Sequence, residues 1–189
     1  MMSKISHSMT KWLFSNTHNE TQLLMCQYGL ELWIYTIIST IGLVLIGVLF
    51  NAVLEASAII CIYYICQSNG GGFHASTHLK CFLTMACGLV VGLLLIKCRI
   101  INTVAPFAGV FSGFILLRYP LYLHQNKSYL KGDSSRLIKR SRYITICLIV
   151  LSTVLYFYNR QWFSVACVAL LVSSASRMTA ILIQRATDK

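Results

Sequence analysis

His74 and Cys81 are the residues of this chain whose types and spacing suggest chemistry. They lie in a polar, glycine-rich segment, residues 70–81, between two apolar runs. A Cys side chain is a strong nucleophile as a thiolate, and a nearby imidazole that takes up its proton is a common way to form one. The segment therefore predicts a thiol nucleophile paired with a histidine base.

Spacing alone leaves two histidines open as the base. In a continuous helix, His74 and Cys81 would share a face but lie about 10 Å apart along the axis. Proton transfer requires a contact of about 3 Å, so His74 would have to lie on a folded-back loop. His78 stands at i to i+3 from Cys81 and is the easier partner by spacing.

Three consecutive glycines precede these residues, Gly70, Gly71 and Gly72. Each costs a helix about 1 kcal/mol relative to alanine, so we expect a helix break there. A break frees backbone N–H groups and lets a peptide approach closely, as an oxyanion site or an extended substrate requires. Ser76 or Thr77 can cap the helix that carries Cys81.

The composition places this segment in a membrane protein. Hydrophobic residues make up 57% of the chain and charged residues 11%, whereas soluble domains are about one quarter charged. Six apolar runs are candidate membrane helices, and several are short for a full span. The predicted fold is an all-α polytopic membrane protein with four to six transmembrane helices. The candidate runs are residues 30–50, 52–66, 81–96, 101–117, 143–158 and 162–183.

We treat residues 1–189 as a single domain with three special segments. Residues 1–28 begin with apolar residues at helical spacing between basic ones, which predicts an amphipathic helix on the membrane surface. No removable signal peptide is expected there. Residues 67–81 are the predicted catalytic loop, and residues 118–142 a predicted basic cytoplasmic loop.

The net charge of +11 reflects topology rather than nucleic-acid binding, because the basic residues lie in short connectors. Seven basic residues and one acidic residue lie between positions 118 and 142, so this loop is predicted to be cytoplasmic. Counting back through six spans places residues 70–81 on the same side and Lys97, Arg99 and Arg160 outside. The seven are Arg118, Lys127, Lys131, Arg136, Lys139, Arg140 and Arg142.

The cysteines other than Cys81, and Glu55, are expected to have structural roles. The eight cysteines include no CxxC pair, so we expect neither a disulfide framework nor a zinc ribbon, and seven of them to be packing residues. Apart from Glu31 at the start of the first run, Glu55 is the only acid inside a predicted span. It would lie about one turn below the outer surface, which favours interfacial solvation or a polar contact between helices over catalysis.

The sequence Gly71-Gly72-Phe73-His74-Ala75, followed by Cys81, resembles the signature of the accessory gene regulator B (AgrB) family of membrane cysteine endopeptidases. Residues 28–31, residues 126–127 and the basic stretch 136–142 also resemble that family. The resemblance implies that His74 and Cys81 are catalytic and that His78 is not. One position departs from the family pattern, because Gln67 stands where an Arg is usual.

The resemblance also implies a substrate and a product. The substrate would be an AgrD-like precursor peptide of a quorum-sensing autoinducer, cleaved through an acyl-enzyme thioester. A Cys of the substrate would then close a cyclic thiolactone, whereas water would give a linear acid. No cofactor is implied, and the further partners are the lipid bilayer of the cell membrane and a possible homodimer.

A non-enzymatic metal-binding or transport protein is the alternative. His74, His78 and Cys81 have the spacing i, i+4 and i+7, so a continuous helix would align three ligands for zinc or copper. The three glycines disfavour such a helix. No internal repeat of the kind found in transporters is present.

Overall fold

A computed structural model describes residues 20–71, 78–98, 101–121 and 134–187 of the chain. This part of the chain contains six α-helices and no strand. The all-α prediction is confirmed, and each predicted apolar run corresponds to one helix. In chain order the helices are α1 (Glu20–Leu49), α2 (Val53–Gly70), α3 (His78–Lys97), α4 (Ile101–Arg118), α5 (Ser134–Tyr158) and α6 (Arg160–Thr187).

Within the described residues, four stretches are long and apolar enough to cross a membrane, which is the lower limit of the predicted number. Inside lipid every backbone polar group must be satisfied internally, and a helix does this within one segment. A multi-pass membrane protein follows from these helices. The four stretches are Cys26–Leu49, His78–Lys97, Ser135–Tyr158 and Arg160–Ile183, and Thr103–Arg118 is a shorter apolar helix.

Two helices begin earlier than the apolar runs predicted. α5 starts at Ser134, so the basic residues 136–142 are helical rather than part of a loop. Charged residues end the apolar run because they do not enter lipid. They do not end the helix, because Lys, Arg and Leu are good helix formers. α1 starts at Glu20 and includes residues 20–28. The predicted amphipathic pattern of residues 1–19 lies outside the described residues.

The chain divides into two compact units, residues 1–42 and residues 43–189. The described part of the first unit is α1 up to Gly42. Many of its large apolar side chains are exposed and none of those described is fully buried, with Trp33 at 71%. The hydroxyl groups of Thr36 and Thr40 donate to the carbonyls four residues earlier, at 2.8 and 2.7 Å. These bonds satisfy both hydroxyls within the helix, as a lipid environment requires.

Helix α6 is the centre of the second unit. It contacts α2, α3, α4 and α5, and all seven residues from Ser164 to Leu170 are buried. Side chains on every face of this stretch are therefore covered by neighbouring helices, as expected for a core helix that is apolar all round. Any group on α6 lies close to several other helices.

Small residues let these helices approach closely. A Cβ added to Gly92 would lie 2.8 Å from the side chain of Val168, and one added to Gly109 would lie 2.8 Å from the sulfur of Cys167. Gly88 and Gly113 meet Val172 and Ile149 in the same way, at 3.1 and 2.9 Å. Both GxxxG pairs are thus used for packing within one chain, which accounts for them without a homodimer.

Asparagines form the two tight turns at one end of the second unit. Asn51, between α1 and α2, has φ 48°, a left-handed conformation that Asn tolerates better than most residues. The side-chain oxygen of Asn159, between α5 and α6, accepts a 2.9 Å hydrogen bond from the backbone N–H of Gln161. This contact is an N-cap for α6.

Candidate active site

Cys81 lies in the first turn of α3 and is half-buried. The helix before it, α2, ends at Gly70, as the glycine triplet predicted. Gly71 has φ 69°, which glycine adopts without strain, and its N–H donates to the carbonyl of Gln67 at 2.9 Å. Helix α2 therefore ends at Gly70, and α3 begins at His78.

The predicted base His74 lies in residues 72–77, outside the described residues, and so do the proposed caps Ser76 and Thr77. His78 is the first residue of α3 and is exposed. His78 and Cys81 thus share one helix with the i to i+3 spacing that the sequence suggested.

Tyr63 of α2 is one residue that the sequence analysis did not single out. It is 8% exposed, and its hydroxyl oxygen lies 3.3 Å from that of Ser176 on α6. Tyr63 belongs to the same core cluster as Met85 of α3, and Phe82, the residue after Cys81, packs against that cluster. The start of α3 therefore packs on the core that contains the contact between α2 and α6. A buried Tyr hydroxyl usually requires a partner, so Tyr63 inside an apolar run was the available signal.

Arg177 of α6 is a second residue that the sequence analysis missed. It lies within the predicted span 162–183 yet is only 1% exposed. Its guanidinium donates to the backbone carbonyl of Cys66 at 3.1 Å. A guanidinium is therefore present at the end of α2, beside Gln67. An ionisable residue inside a span is a functional candidate by default, and that signal could have found Arg177.

Glu55 lies at the opposite end of α2, in its first turn. Its carboxylate oxygen accepts a 2.8 Å hydrogen bond from the side-chain amide of Gln161 on α6. The predicted polar contact between helices is confirmed. An acid in the first turn also complements the helix dipole, so α2 itself explains this carboxylate.

All eight cysteines are free thiols. Cys66 and Cys167 are buried, as the packing interpretation predicts, whereas Cys61, Cys87, Cys98 and Cys147 are exposed. Among the described residues, no group of three His, Cys, Asp or Glu side chains could hold a metal ion. The alternative metal site of His74, His78 and Cys81 is not tested by this result, because His74 lies outside the described residues.

Charge is distributed unequally between the two ends of the second unit. Near the end of α2, the start of α3, the end of α4 and the start of α5, the exposed basic residues are Lys80, Arg118, Arg136, Lys139, Arg140 and Arg142. Near the other end, Lys97 lies 5.7 Å from the ring centroid of Phe50, and Arg160 lies 5.7 Å from that of Tyr156. Cys81 therefore lies at the basic end.

The profile of the family described as Accessory gene regulator B matches residues 4–183. The chain belongs to this family. AgrB membership supports an accessory role in quorum sensing, and the family is known for peptide processing, which agrees with the resemblance carried by the motif around His74 and Cys81. The match covers all six helices up to the last turn of α6.

Two curated proteins of Clostridium perfringens are similar to this chain, and both are described as AgrB-like. One, from strain SM101 (Type A), is 29% identical over 163 residues, which cover 78% of this chain and 73% of the relative. The other, from strain 13 (Type A), is 27% identical over 159 residues, with the same coverage. No solved structure matches the chain.

Proposed function

We propose that this AgrB-family protein is a membrane-embedded cysteine endopeptidase that cleaves an autoinducer precursor peptide. The observation that carries the proposal is the family match over residues 4–183 together with the position of Cys81. Cys81 is half-buried in the first turn of a helix, directly after a glycine break and at the basic end of the molecule. A peptide at the membrane surface can reach such a thiol.

Each residue has a definite role in the proposed reaction. His74 takes the proton of the Cys81 thiol, and the thiolate attacks the carbonyl carbon of one peptide bond of the precursor. The C–N bond breaks, the leaving amine takes a proton from His74, and an acyl-enzyme thioester remains on Cys81. The C-terminal fragment of the precursor is the first product.

The thioester determines the second product. His74 takes the proton from the thiol of a Cys within the bound precursor fragment, and the resulting thiolate attacks the carbonyl carbon of the thioester. The bond to the sulfur of Cys81 breaks, a new thioester forms within the fragment, and the Cys81 thiolate takes the proton back from His74. The product is a cyclic thiolactone, and the enzyme is regenerated. Water would give a linear acid instead, and the surrounding apolar helices favour transfer by limiting access of water.

The test uses the full chain in lipid vesicles and a synthetic precursor with an amphipathic start, an internal Cys and an acidic tail. We expect Cys81→Ala to abolish both cleavage and the covalent acyl-enzyme detected by intact-protein mass spectrometry. Cys87→Ala is the matched control, because Cys87 is exposed on the same helix, and it should cleave normally. Cleavage by the Cys81→Ala protein would refute the proposal.

A further inference from the structure

Arg177 joins the ends of two helices through its guanidinium. One terminal nitrogen, Nη2, donates to the carbonyl of Cys66, in the last turns of α2, at 3.1 Å. The other, Nη1, donates to the carbonyls of Tyr119 and Pro120, just past the end of α4, at 3.0 and 3.2 Å. The carbonyl of Leu116 lies 3.5 Å from the same nitrogen. Arg177 thus holds α2 and α4 to α6.

The carbonyls at and just past the end of α4 need a donor that this helix does not supply. The last four carbonyls of a helix have no partner within it. In α4 the carbonyl of Leu116 would pair with the N–H of residue 120, but Pro120 has no N–H. The Nη1 group of Arg177 reaches these acceptors instead, because a guanidinium presents its donors as a planar fork.

The charge of Arg177 is balanced by the same helix ends. A helix C-terminus carries about half a negative elementary charge. The two C-termini that meet the guanidinium, those of α2 and α4, together carry about one negative charge. The positive charge of Arg177 is therefore compensated in a buried position without a carboxylate.

Gly70, the last residue of α2, is required for this arrangement. A Cβ on Gly70 would lie 2.5 Å from Cζ of Arg177 and 2.8 Å from the hydroxyl oxygen of Ser141 on α5. Neither distance is compatible with a real Cβ contact. The guanidinium cannot move away without losing its hydrogen bonds to α2 on one side or to the end of α4 on the other. The first glycine of the triplet thus makes room for Arg177, in addition to weakening the helix.

We propose that Arg177 is a positioning residue of the active site, an inference that rests on the proposed function. By fixing the end of α2 at Gly70, Arg177 sets the point from which the chain continues toward His74 and Cys81. Arg177 itself is buried and does not contact the substrate. The hydroxyl oxygen of its neighbour Ser176 lies 3.3 Å from that of Tyr63 on α2, so two adjacent residues of α6 hold α2 in place.

The experiment measures whether His74 and Cys81 act together. Full-length protein in lipid vesicles is treated with iodoacetamide near pH 7, and alkylation of Cys81 and of Cys98 is followed separately by mass spectrometry. His74→Ala should slow alkylation of Cys81 roughly tenfold, because an ordinary thiol is only a few per cent thiolate at this pH. Cys98, which is exposed just past the end of α3, should react at an unchanged rate.

Arg177→Met removes the guanidinium, with its hydrogen-bond donors and its charge, but keeps an unbranched side chain. We expect it to slow alkylation of Cys81 to about the rate of the His74→Ala protein, and the double variant to be no slower, because interacting residues are not additive. Arg185→Met is the matched control, since it removes an exposed positive charge from the same helix. In that background, His74→Ala should keep its full effect.

Two results would overturn the inference. One is that His74→Ala still slows alkylation of Cys81 about tenfold in the Arg177→Met protein. The other is a parallel change in the alkylation rate of Cys98, which would indicate general disruption. If Arg177→Met does not accumulate in the membrane, Gly70→Ala decides the question. Alanine favours the helix, but its Cβ displaces the guanidinium. In the Gly70→Ala protein, His74→Ala should therefore no longer slow alkylation of Cys81. A full slowing would refute the proposed role of Arg177.

Failure of the proposed function would look different. In that case His74→Ala would leave alkylation of Cys81 unchanged in the otherwise native chain, and Cys81→Ala would still cleave the precursor. Both results are obtained in proteins that contain Arg177.

Discussion

The hydroxyl oxygens of Tyr63 and Ser176 lie 3.3 Å apart and join α2 to α6. Tyr63 is seven residues before Gly70, so the contact lies about two turns, or about 10 Å, from the end of α2. Arg177 holds that end itself. α2 is therefore attached to α6 at two levels, and both attachments use neighbouring positions of α6.

The first prediction concerns the stability that this contact contributes. Tyr63→Phe keeps the ring and removes the hydroxyl, and Ser176→Ala removes the other partner. Each should lower the free energy of unfolding by about 1 kcal/mol, the usual net value of a hydrogen bond. The double variant should lose about as much as either single variant, and equilibrium unfolding in detergent measures all three.

Tyr143→Phe is the control for this cycle, because Tyr143 is exposed on α5. It should unfold like the native chain. Strictly additive losses in the Tyr63 and Ser176 double variant would mean that the two hydroxyls do not interact.

The second prediction separates the two histidines. His74→Ala should abolish precursor cleavage while leaving membrane insertion intact, because nucleophile and base act as a unit. His78→Ala should retain most activity, although His78 shares the first turn of α3 with Cys81. Initial rates of cleavage in vesicles provide the measurement. The opposite ranking of the two variants would identify the i to i+3 pair on α3 as the catalytic one.

The elements of this fold could be predicted from sequence to different extents. The break at Gly70 was predictable because glycine has a local cost in any helix, and the structure ends α2 there. The start of α5 at Ser134 was not predicted, because hydropathy reports where a segment enters lipid and does not report where a helix begins. Apolar content indicates where a segment enters lipid, whereas local helix propensity indicates where the helix begins.

The surroundings of Arg177 could not be predicted in the same way. An Arg within a span suggests a buried partner, and an acid would be the expected one. The partners found are backbone carbonyls of residues 66, 116, 119 and 120, which every residue possesses and which carry no sequence signal. Only the packing of α2, α4 and α6 brings those carbonyls together.

The third prediction concerns sidedness. In a chain without native cysteines, single cysteines at Ser76 and Ser134 should react with an impermeant thiol reagent from the cytoplasmic side. A cysteine at Asn102 should react from the outside, because α4 separates it from the end that holds Arg118. The physical basis is the excess of basic residues at one end of the helices.

Labelling from the cytoplasmic side uses inside-out vesicles, and labelling from the outside uses intact cells. Reaction of the Ser76 and Ser134 positions from opposite sides would require an odd number of spans between them. The proposed access of a cytoplasmic precursor to Cys81 would then be incorrect.

The last prediction concerns the basic start of α5. Arg136, Lys139, Arg140 and Arg142 are exposed there, and the first turn contains no acid. Positive charge near a helix N-terminus opposes the helix dipole, so helix stability does not account for the cluster. Attraction of an acidic precursor tail would account for it. Anchoring at anionic lipid and fixing the topology would account for it equally well.

Charge reversal separates the two roles. Lys139→Glu combined with Arg140→Glu changes the local field, while the remaining basic residues of the connector keep the topology. If the cluster recruits the precursor, its KM should rise severalfold with little change in kcat, and the salt dependence of cleavage should weaken. A precursor with a basic tail should recover part of the loss. An unchanged KM in a protein whose topology has been verified would leave the cluster only its role in membrane orientation.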